Sequence, residues 1–331
     1  MKAVGYTRSL PISDPASLED LELPEPTPEP RDLRVKVHAI SVNPVDAKIR
    51  MRMAGENGQP RILGWDVAGV VEAAGERTSR FKPGDEVFYA GSLTRPGANS
   101  EYHVVDERLV GRKPKTLSFA EAAAMPLTSL TAWELLFDRL GVAEDAAETL
   151  LIVGGAGGVG SMLIQIARQL TRLTVVATAS RKATHDWCRT LGAHTVVDHT
   201  KLAEDLAAVG APDYVAALTG SDKHFPTLAE CLAPQGRIAI IDDPEALDAT
   251  LLKRKSASLH WEFMFTRPMF ETADMARQGE ILDRVADLVD AGKLRTTMRE
   301  LLGLIDAKTL RNAHERLESG QTIGKLVLEG F

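Results

Sequence analysis

An apolar run, Thr149-Leu150-Leu151-Ile152-Val153, leads straight into Gly154-Gly155-Ala156-Gly157-Gly158-Val159-Gly160. The run has no polar alternation, as expected for a parallel strand covered on both faces. The residues after it, Ser161 to Leu170, read as an amphipathic helix. Gly155, Gly157 and Gly160 satisfy G-x-G-x-x-G, which gains meaning from its place between strand and helix. The first glycine permits a tight turn. The second lets the backbone approach a pyrophosphate, and the third lets helix and strand pack closely. The helix N-terminus then offers free N–H groups and a partial positive charge to phosphate. Gly155, Ala156, Gly157, Gly158, Val159 and Gly160 are therefore candidate dinucleotide-binding residues.

The turn sits in a stretch of βα alternation. Further strands are predicted at Leu173 to Ala177, Thr195 to Val197, Tyr214 to Leu218 and Arg237 to Ile241. Strands separated by helix-length segments predict a doubly wound parallel sheet. The first 120 or so residues differ. Short β-like runs such as Leu33 to Ala39, Val67 to Glu72 and Tyr102 to Val105 are broken by Gly and Pro, which suggests a barrel-like antiparallel domain. Ser118 and Glu121 form a capping box where helical patterning begins. After Ser258 the chain alternates through Trp261, Phe263 and Phe265, predicting an edge strand that pairs with a second subunit, so a homodimer; a core strand in a monomer is the alternative. A helix from Gln278 to Ala291 and a strand from Gly324 to Leu328 close the chain.

The remaining composition narrows the class. The 331 residues carry a formal net charge of -7, so the overall field does not attract nucleic acid or anionic membrane. Two cysteines, Cys188 and Cys231, cannot build a disulfide framework. No leader pattern opens the chain and no apolar stretch would span a bilayer, which predicts a cytoplasmic protein.

The end of the second parallel strand decides between the two nicotinamide cofactors. An NAD site usually ends this strand in Asp or Glu, which holds the ribose hydroxyls. Here it reads Ala177-Thr178-Ala179-Ser180-Arg181-Lys182. Arg181 and Lys182 can neutralise a 2′-phosphate and Ser180 can donate to it, so the expected cofactor is NADP(H). A solvated basic pair is the competing explanation.

Motifs from end to end carry a family resemblance. They are Ser41-Val42-Asn43-Pro44-Val45-Asp46-Ala47-Lys48, Leu63-Gly64-Trp65-Asp66-Val67-Ala68-Gly69, Lys82-Pro83-Gly84-Asp85-Glu86-Val87, Met125-Pro126-Leu127-Thr128-Ser129-Leu130-Thr131-Ala132, the glycine turn, and Ser319-Gly320-Gln321-Thr322-Ile323-Gly324-Lys325. With them the chain resembles the medium-chain dehydrogenase/reductase superfamily, in its zinc-free quinone oxidoreductase branch, whose members are often labelled zinc-type alcohol dehydrogenase-like. The resemblance implies an α/β fold: a GroES-like β-barrel catalytic domain (residues 1–124 and 268–331) and a Rossmann NADP-binding domain (residues 125–267).

The zinc in that label can be tested on ligands. Zinc-dependent members carry a Cys where Asn43 stands and a Gly-His-Glu motif where Gly64-Trp65-Asp66 stands. Asn43 and Trp65 cannot replace thiolate and imidazole. No Cys lies between Met1 and Arg112, and the eight histidines show no ligand spacing. No metal is expected. Without a Lewis acid, the feasible chemistry is hydride addition to an electron-poor acceptor, a quinone or an α,β-unsaturated carbonyl. A zinc-type alcohol dehydrogenase acting on a small alcohol or aldehyde, and a non-catalytic NADPH- or RNA-binding crystallin-like protein, are the rivals.

By the same resemblance Asn43 would hydrogen-bond the acceptor oxygen or a cofactor hydroxyl, Asp46 would hold its loop, and Lys48 would reach the substrate or the cofactor ribose. Thr128 would lie by the nicotinamide. Trp65 and Tyr89 are candidate apolar pocket walls. Leu218, Thr219 and Ile241 sit at the carboxyl ends of parallel strands, where ligands of such sheets bind.

Overall fold

Short β-branched and apolar runs interrupted by Gly and Pro build the first part of the chain, and the computed structural model describes all residues 1–331. Its strands are β1 (Lys2–Tyr6), β2 (Glu19–Glu22), β3 (Asp32–Ser41), β4 (Arg61–Ile62), β5 (Val67–Ala74), β6 (Glu86–Tyr89), β7 (Tyr102–Asp106) and β8 (Gly111–Arg112). Helix α1 (Pro44–Arg52) follows β3, and α2 (Phe119–Ala123) starts at the Ser118–Glu121 capping box. Both halves of that box form: Ser118 Oγ accepts from Glu121 N at 3.2 Å, and Glu121 Oε2 accepts from Ser118 N at 2.9 Å. Helix α3 (Pro126–Trp133) continues into a π-helical segment, Glu134–Arg139.

The residues fall into two compact units, Met1–Leu127 with Phe265–Phe331, and Thr128–Met264. The second unit holds six strands: β9 (Thr149–Val153), β10 (Thr174–Thr178), β11 (Thr195–Val197), β12 (Tyr214–Ala217), β13 (Arg237–Ile240) and β14 (Ser258–Trp261). All pair in parallel, in the order β11-β10-β9-β12-β13-β14. Numbered within the unit this is 3-2-1-4-5-6, the order of a Rossmann sheet. Helices α4 (Gly158–Leu170), α5 (Lys182–Leu191), α6 (Leu202–Val209) and α7 (Ser221–Cys231) connect the strands. Leu151, Val153, Val176, Val215, Ile238 and Ile240 are buried along the sheet, packed with Phe225 and Leu228 of α7.

The chain ends back in the first unit. Helices α8 (Thr266–Met269), α9 (Arg277–Asp290) and α10 (Ala307–Glu318) alternate with β15 (Met298–Leu301) and β16 (Lys325–Glu329). β16 pairs antiparallel with β3, so a seven-stranded sheet joins the N-terminal strands to the C-terminal tail. Helix α9 is held to the N-terminal strands by its acids: Asp283 accepts from Arg112 N at 2.9 Å and Asp290 from Thr116 N at 3.0 Å. A separate three-stranded sheet has the order β2-β1-β4. No helix is long and apolar enough to cross a membrane.

The strand expected over Ser258 to Phe265 ends at Trp261. Beyond it Glu262 is buried and the chain turns into α8.

Candidate active site

The glycine turn occupies the point where the parallel sheet reverses its order, between β9 and β12. Gly154 has φ +86, a backbone conformation that side chains disfavour. The tight turn is thus made one residue earlier than the motif alone suggests. Gly155 is bare for a packing reason: a Cβ there would stand 2.8 Å from Ala177 Cβ and 3.1 Å from Cys188 Sγ. Gly160 is bare because its Cβ would lie 2.4 Å from Gly154 O. Gly157 differs. A Cβ on it would meet nothing nearer than Gly154 O at 3.6 Å, so internal packing does not require glycine here. Its bareness keeps the backbone open to an outside group. Gly157 is also the N-cap of α4, and no side chain caps that helix. The first-turn N–H groups of Gly158, Val159 and Gly160 are therefore not taken by a capping side chain, which fits a bound pyrophosphate.

Thr178, unremarked in the sequence, holds the turn. Its Oγ1 accepts from Gly154 N at 3.0 Å and its carbonyl accepts from Gly155 N at 3.2 Å. Leu218 N donates to Val153 O at 3.2 Å, and Thr219 Cγ2 lies 3.0 Å from where a Gly154 Cβ would be. Leu218 and Thr219 thus flank the turn, while Ile241 follows β13, the next strand.

Beyond β10 the chain presents Ser180, Arg181 and Lys182, all exposed, and no carboxylate until Asp186. Arg181 is the N-cap of α5: its N donates to Thr184 Oγ1 at 3.1 Å, and Thr184 Oγ1 donates back to Arg181 O at 2.7 Å. Lys182 turns its ammonium to Asp186, 2.6 Å away.

In the other unit Asn43, Asp46 and Asp66 converge, joined by Lys325 from β16. Asn43 is the N-cap of α1 and is 1 % exposed. Asp46 accepts from Asn43 N at 2.7 Å and from Gly64 N at 3.0 Å. Gly64 sits at φ +109, where a Cβ would strike Asn99. Asn43 Nδ2 donates to Asp66 Oδ2 at 2.8 Å, with a longer 3.4 Å contact to Ser41 O. Asp66 Oδ1 accepts from Leu127 N at 2.7 Å, in the first turn of α3. Lys325 Nζ donates to Val42 O at 2.8 Å, to Asp66 Oδ2 at 2.9 Å and to Asn43 Oδ1. Burial pushes the Asp46 carboxyl up to about 7, against the N–H of Asn43 and the Lys325 charge. Burial also pushes Asp66 upward, opposed by Lys325, Leu127 N–H and the Asn43 amide. Asn43 Nδ2, Leu127 N and Lys325 Nζ all donate to Asp66, which favours its ionised form.

This geometry revises the part expected of Asn43. Its amide is spent inside the protein, on Asp66 and Lys325, rather than presented to an acceptor oxygen. Lys48 lies half-buried on α1, one turn beyond Pro44. Thr128 is 2 % exposed on α3. The two aromatics expected as pocket walls are core side chains. Trp65 donates Nε1–H to Ser92 O at 3.1 Å and meets Phe265 edge-on. Tyr89 is 0 % exposed, its hydroxyl 3.0 Å from His103 Nδ1 and its ring stacked on that histidine. Each polar tip has found an internal partner, as a buried Trp or Tyr requires. Sequence reasoning missed Lys325, although it stands in a quoted motif, because nothing in a strand's alternation says that a lysine head turns inward.

A zinc ion does not fit these residues. No three His, Cys, Asp or Glu side chains converge anywhere in the chain. Around Asn43 the acceptor oxygens already face an ammonium, and a dication would be repelled by it.

Known proteins resemble the chain over its whole length. The alcohol dehydrogenase GroES-like domain family matches residues 29–130, and the zinc-binding dehydrogenase family matches residues 191–328. A zinc-type alcohol dehydrogenase-like protein of Staphylococcus aureus is 38% identical over 99% of both chains. The chain belongs to the medium-chain dehydrogenase/reductase superfamily. Within this superfamily it is also 31% identical to the 2-methylene-furan-3-one reductase of Solanum lycopersicum, over 99% of this chain and 79% of that one. Among solved structures, a putative zinc-dependent alcohol dehydrogenase of Rhizobium etli has 56% identity and a TM-score of 0.97, covering 100% of this chain and 98% of that one. A quinone oxidoreductase of Pseudomonas syringae has 27% identity and a TM-score of 0.84, with 99% of both chains covered. The superfamily's oxidoreductase chemistry and its nicotinamide cofactor thus apply to this chain.

Proposed function

We propose that the chain is an NADPH-dependent reductase that transfers hydride to a quinone or an α,β-unsaturated carbonyl without zinc. The observation that carries this reading is the Lys325 ammonium among Val42 O, Asn43 Oδ1 and Asp66 Oδ2. The ammonium fills the place among these oxygens that a Lewis-acid metal would need to polarise a simple carbonyl. An acceptor already activated by conjugation needs less: orientation, exclusion of water, and a donor at the oxygen that gains charge.

The bound nicotinamide supplies the hydride. The turn at Gly157 to Gly160 would hold the pyrophosphate through backbone N–H groups, with Leu218, Thr219 and Ile241 beside it. Ser180 and Arg181 would hold the 2′-phosphate, with Lys182 adding charge. Thr128 is assigned to the nicotinamide ring. Lys48 is put forward as the donor to the acceptor oxygen. Asn43 and Asp46 serve by fixing the start of the helix that carries Lys48. The Solanum relative's name, a reductase of a methylene-furanone, supports an enone; the Pseudomonas neighbour's name supports a quinone.

The names of other relatives favour zinc-assisted alcohol oxidation instead. Metal analysis of purified protein separates the readings: stoichiometric zinc lost together with activity on chelation would establish the rival. Consumption of NADPH and NADH over a panel of quinones and enones tests the proposal itself. Tight NADPH binding with no turnover on any acceptor would mark a binding protein. A second copy of the chain is the expected partner, pairing along the outer edge of β14, where Trp261 and Phe263 are 54% and 47% exposed.

A further inference from the structure

Lys325 opens β16, yet its side chain is 3 % exposed. An ammonium has three donor hydrogens and no acceptor. All three are matched here, by Val42 O, Asp66 Oδ2 and Asn43 Oδ1. The match fixes the Asn43 amide. With Oδ1 toward the cation and Nδ2 toward the carboxylate, both contacts are attractive; the flipped amide would face like charge at each end. Asp66 passes the constraint on, since its other oxygen accepts from Leu127 N at the start of α3. One ammonium thus joins the head of α1, the segment before β5, the first turn of α3 and the C-terminal strand.

Stability alone is a poor reason for such a group. Burying an ion pair costs desolvation, and apolar replacements of similar volume are often neutral or better. What the pair supplies is fixed direction at a polar cluster.

We propose that Lys325 is a positioning residue for hydride transfer, an internal ammonium that takes the place of a metal ion among these oxygens and sets the Asn43 amide and the head of the helix bearing Lys48. The proposal rests on the reductase reading above.

The test uses the full chain in four forms: wild type, Lys325→Met, Asp66→Asn and the double variant. Melting temperature, NADPH dissociation constant, and kcat and KM on a conjugated enone are measured for each. Lys325→Met strands a buried carboxylate and loses melting temperature; the double variant, with no unpaired charge, regains most of it. In the double variant kcat stays roughly 10- to 100-fold below wild type, the usual cost of losing a group that orients an active-site ligand. Its NADPH dissociation constant stays within about twofold of wild type, because the phosphate turn is untouched. Wild-type kcat in the double variant would overturn the proposal and leave Lys325 a structural clamp. A double variant no more stable than Lys325→Met would overturn the charge coupling. Absence of turnover in the wild type is a different result: it removes the reductase reading itself, while the melting temperatures still decide whether Lys325 and Asp66 are coupled.

Discussion

Gly160 lies so close to Gly154 that a Cβ on residue 160 would stand 2.4 Å from the Gly154 carbonyl oxygen. A Cβ on residue 157, three positions earlier, would make only an ordinary contact with the same oxygen, at 3.6 Å. The two glycines therefore answer differently to alanine. Gly160→Ala forces backbone apart and destabilises the chain by about 1–3 kcal/mol, the usual range for overpacking. Gly157→Ala leaves the melting temperature nearly unchanged and weakens NADPH binding by roughly tenfold, since about 1.4 kcal/mol of lost phosphate contact suffices. Thermal melts beside fluorescence titration with NADPH distinguish the two. Equal loss of stability in both would contradict the assignment.

Arg181 and Lys182 also separate. Lys182 is engaged with Asp186 in an exposed pair, whereas Arg181 caps α5 directly after β10. Arg181→Ala should raise KM for NADPH about 10- to 100-fold, as expected for losing a charge-assisted hydrogen bond worth about 1.5–3 kcal/mol. KM for NADH should not change. Lys182→Ala should have the smaller effect on NADPH. Steady-state kinetics with both cofactors checks this, and an equal rise for NADH would show that Arg181 does not read the 2′-phosphate.

Much of this was legible in the chain before its fold. Thr149 to Val153 reads as a buried parallel strand because it lacks alternation, and it is one. Ser118 and Glu121 announce a capping box through spacing alone. Lys325 is the opposite case: its motif is visible, but the burial of its ammonium depends on Asp66, more than 250 residues away in sequence. The Glu134–Arg139 segment reads as ordinary helix, since a π turn differs by hydrogen-bond register rather than composition. The aromatic alternation past Trp261 misleads: the strand stops at Trp261, and Glu262 turns inward, its carboxylate 2.9 Å from Arg139.

That buried Glu262 sets a pH dependence. Burial pushes its carboxyl up to about 8, Glu134 adds to the rise, and Arg139 opposes it. A group raised in the folded state binds its proton more tightly there than in the unfolded chain. Its contribution to stability is full below the ordinary carboxylate range, about 4.5, and is lost as pH climbs toward about 8. Asp46, raised to about 7, acts in the same direction. Glu262→Gln should flatten the fall in melting temperature between these limits and be more stable than wild type at the alkaline end. Thermal melts across that range check it; parallel curves for the two proteins would contradict it.

Trp261 is 54% exposed at the end of the edge strand β14. If a second copy pairs along that edge, Trp261→Glu places a charge in the contact and shifts the protein to monomer in sedimentation velocity. A wild type that already sediments as a monomer would remove the proposed partner.

The central claim is NADPH-dependent reduction of an activated acceptor without zinc. The most direct measurement is the rate of NADPH oxidation on a conjugated enone and a quinone, with NADH in parallel, before and after exhaustive chelation and with zinc quantified in the same sample. The account predicts turnover on at least one acceptor, preference for NADPH, unchanged rate after chelation and substoichiometric zinc. Activity that disappears with a stoichiometric zinc ion and returns when zinc is restored would contradict it.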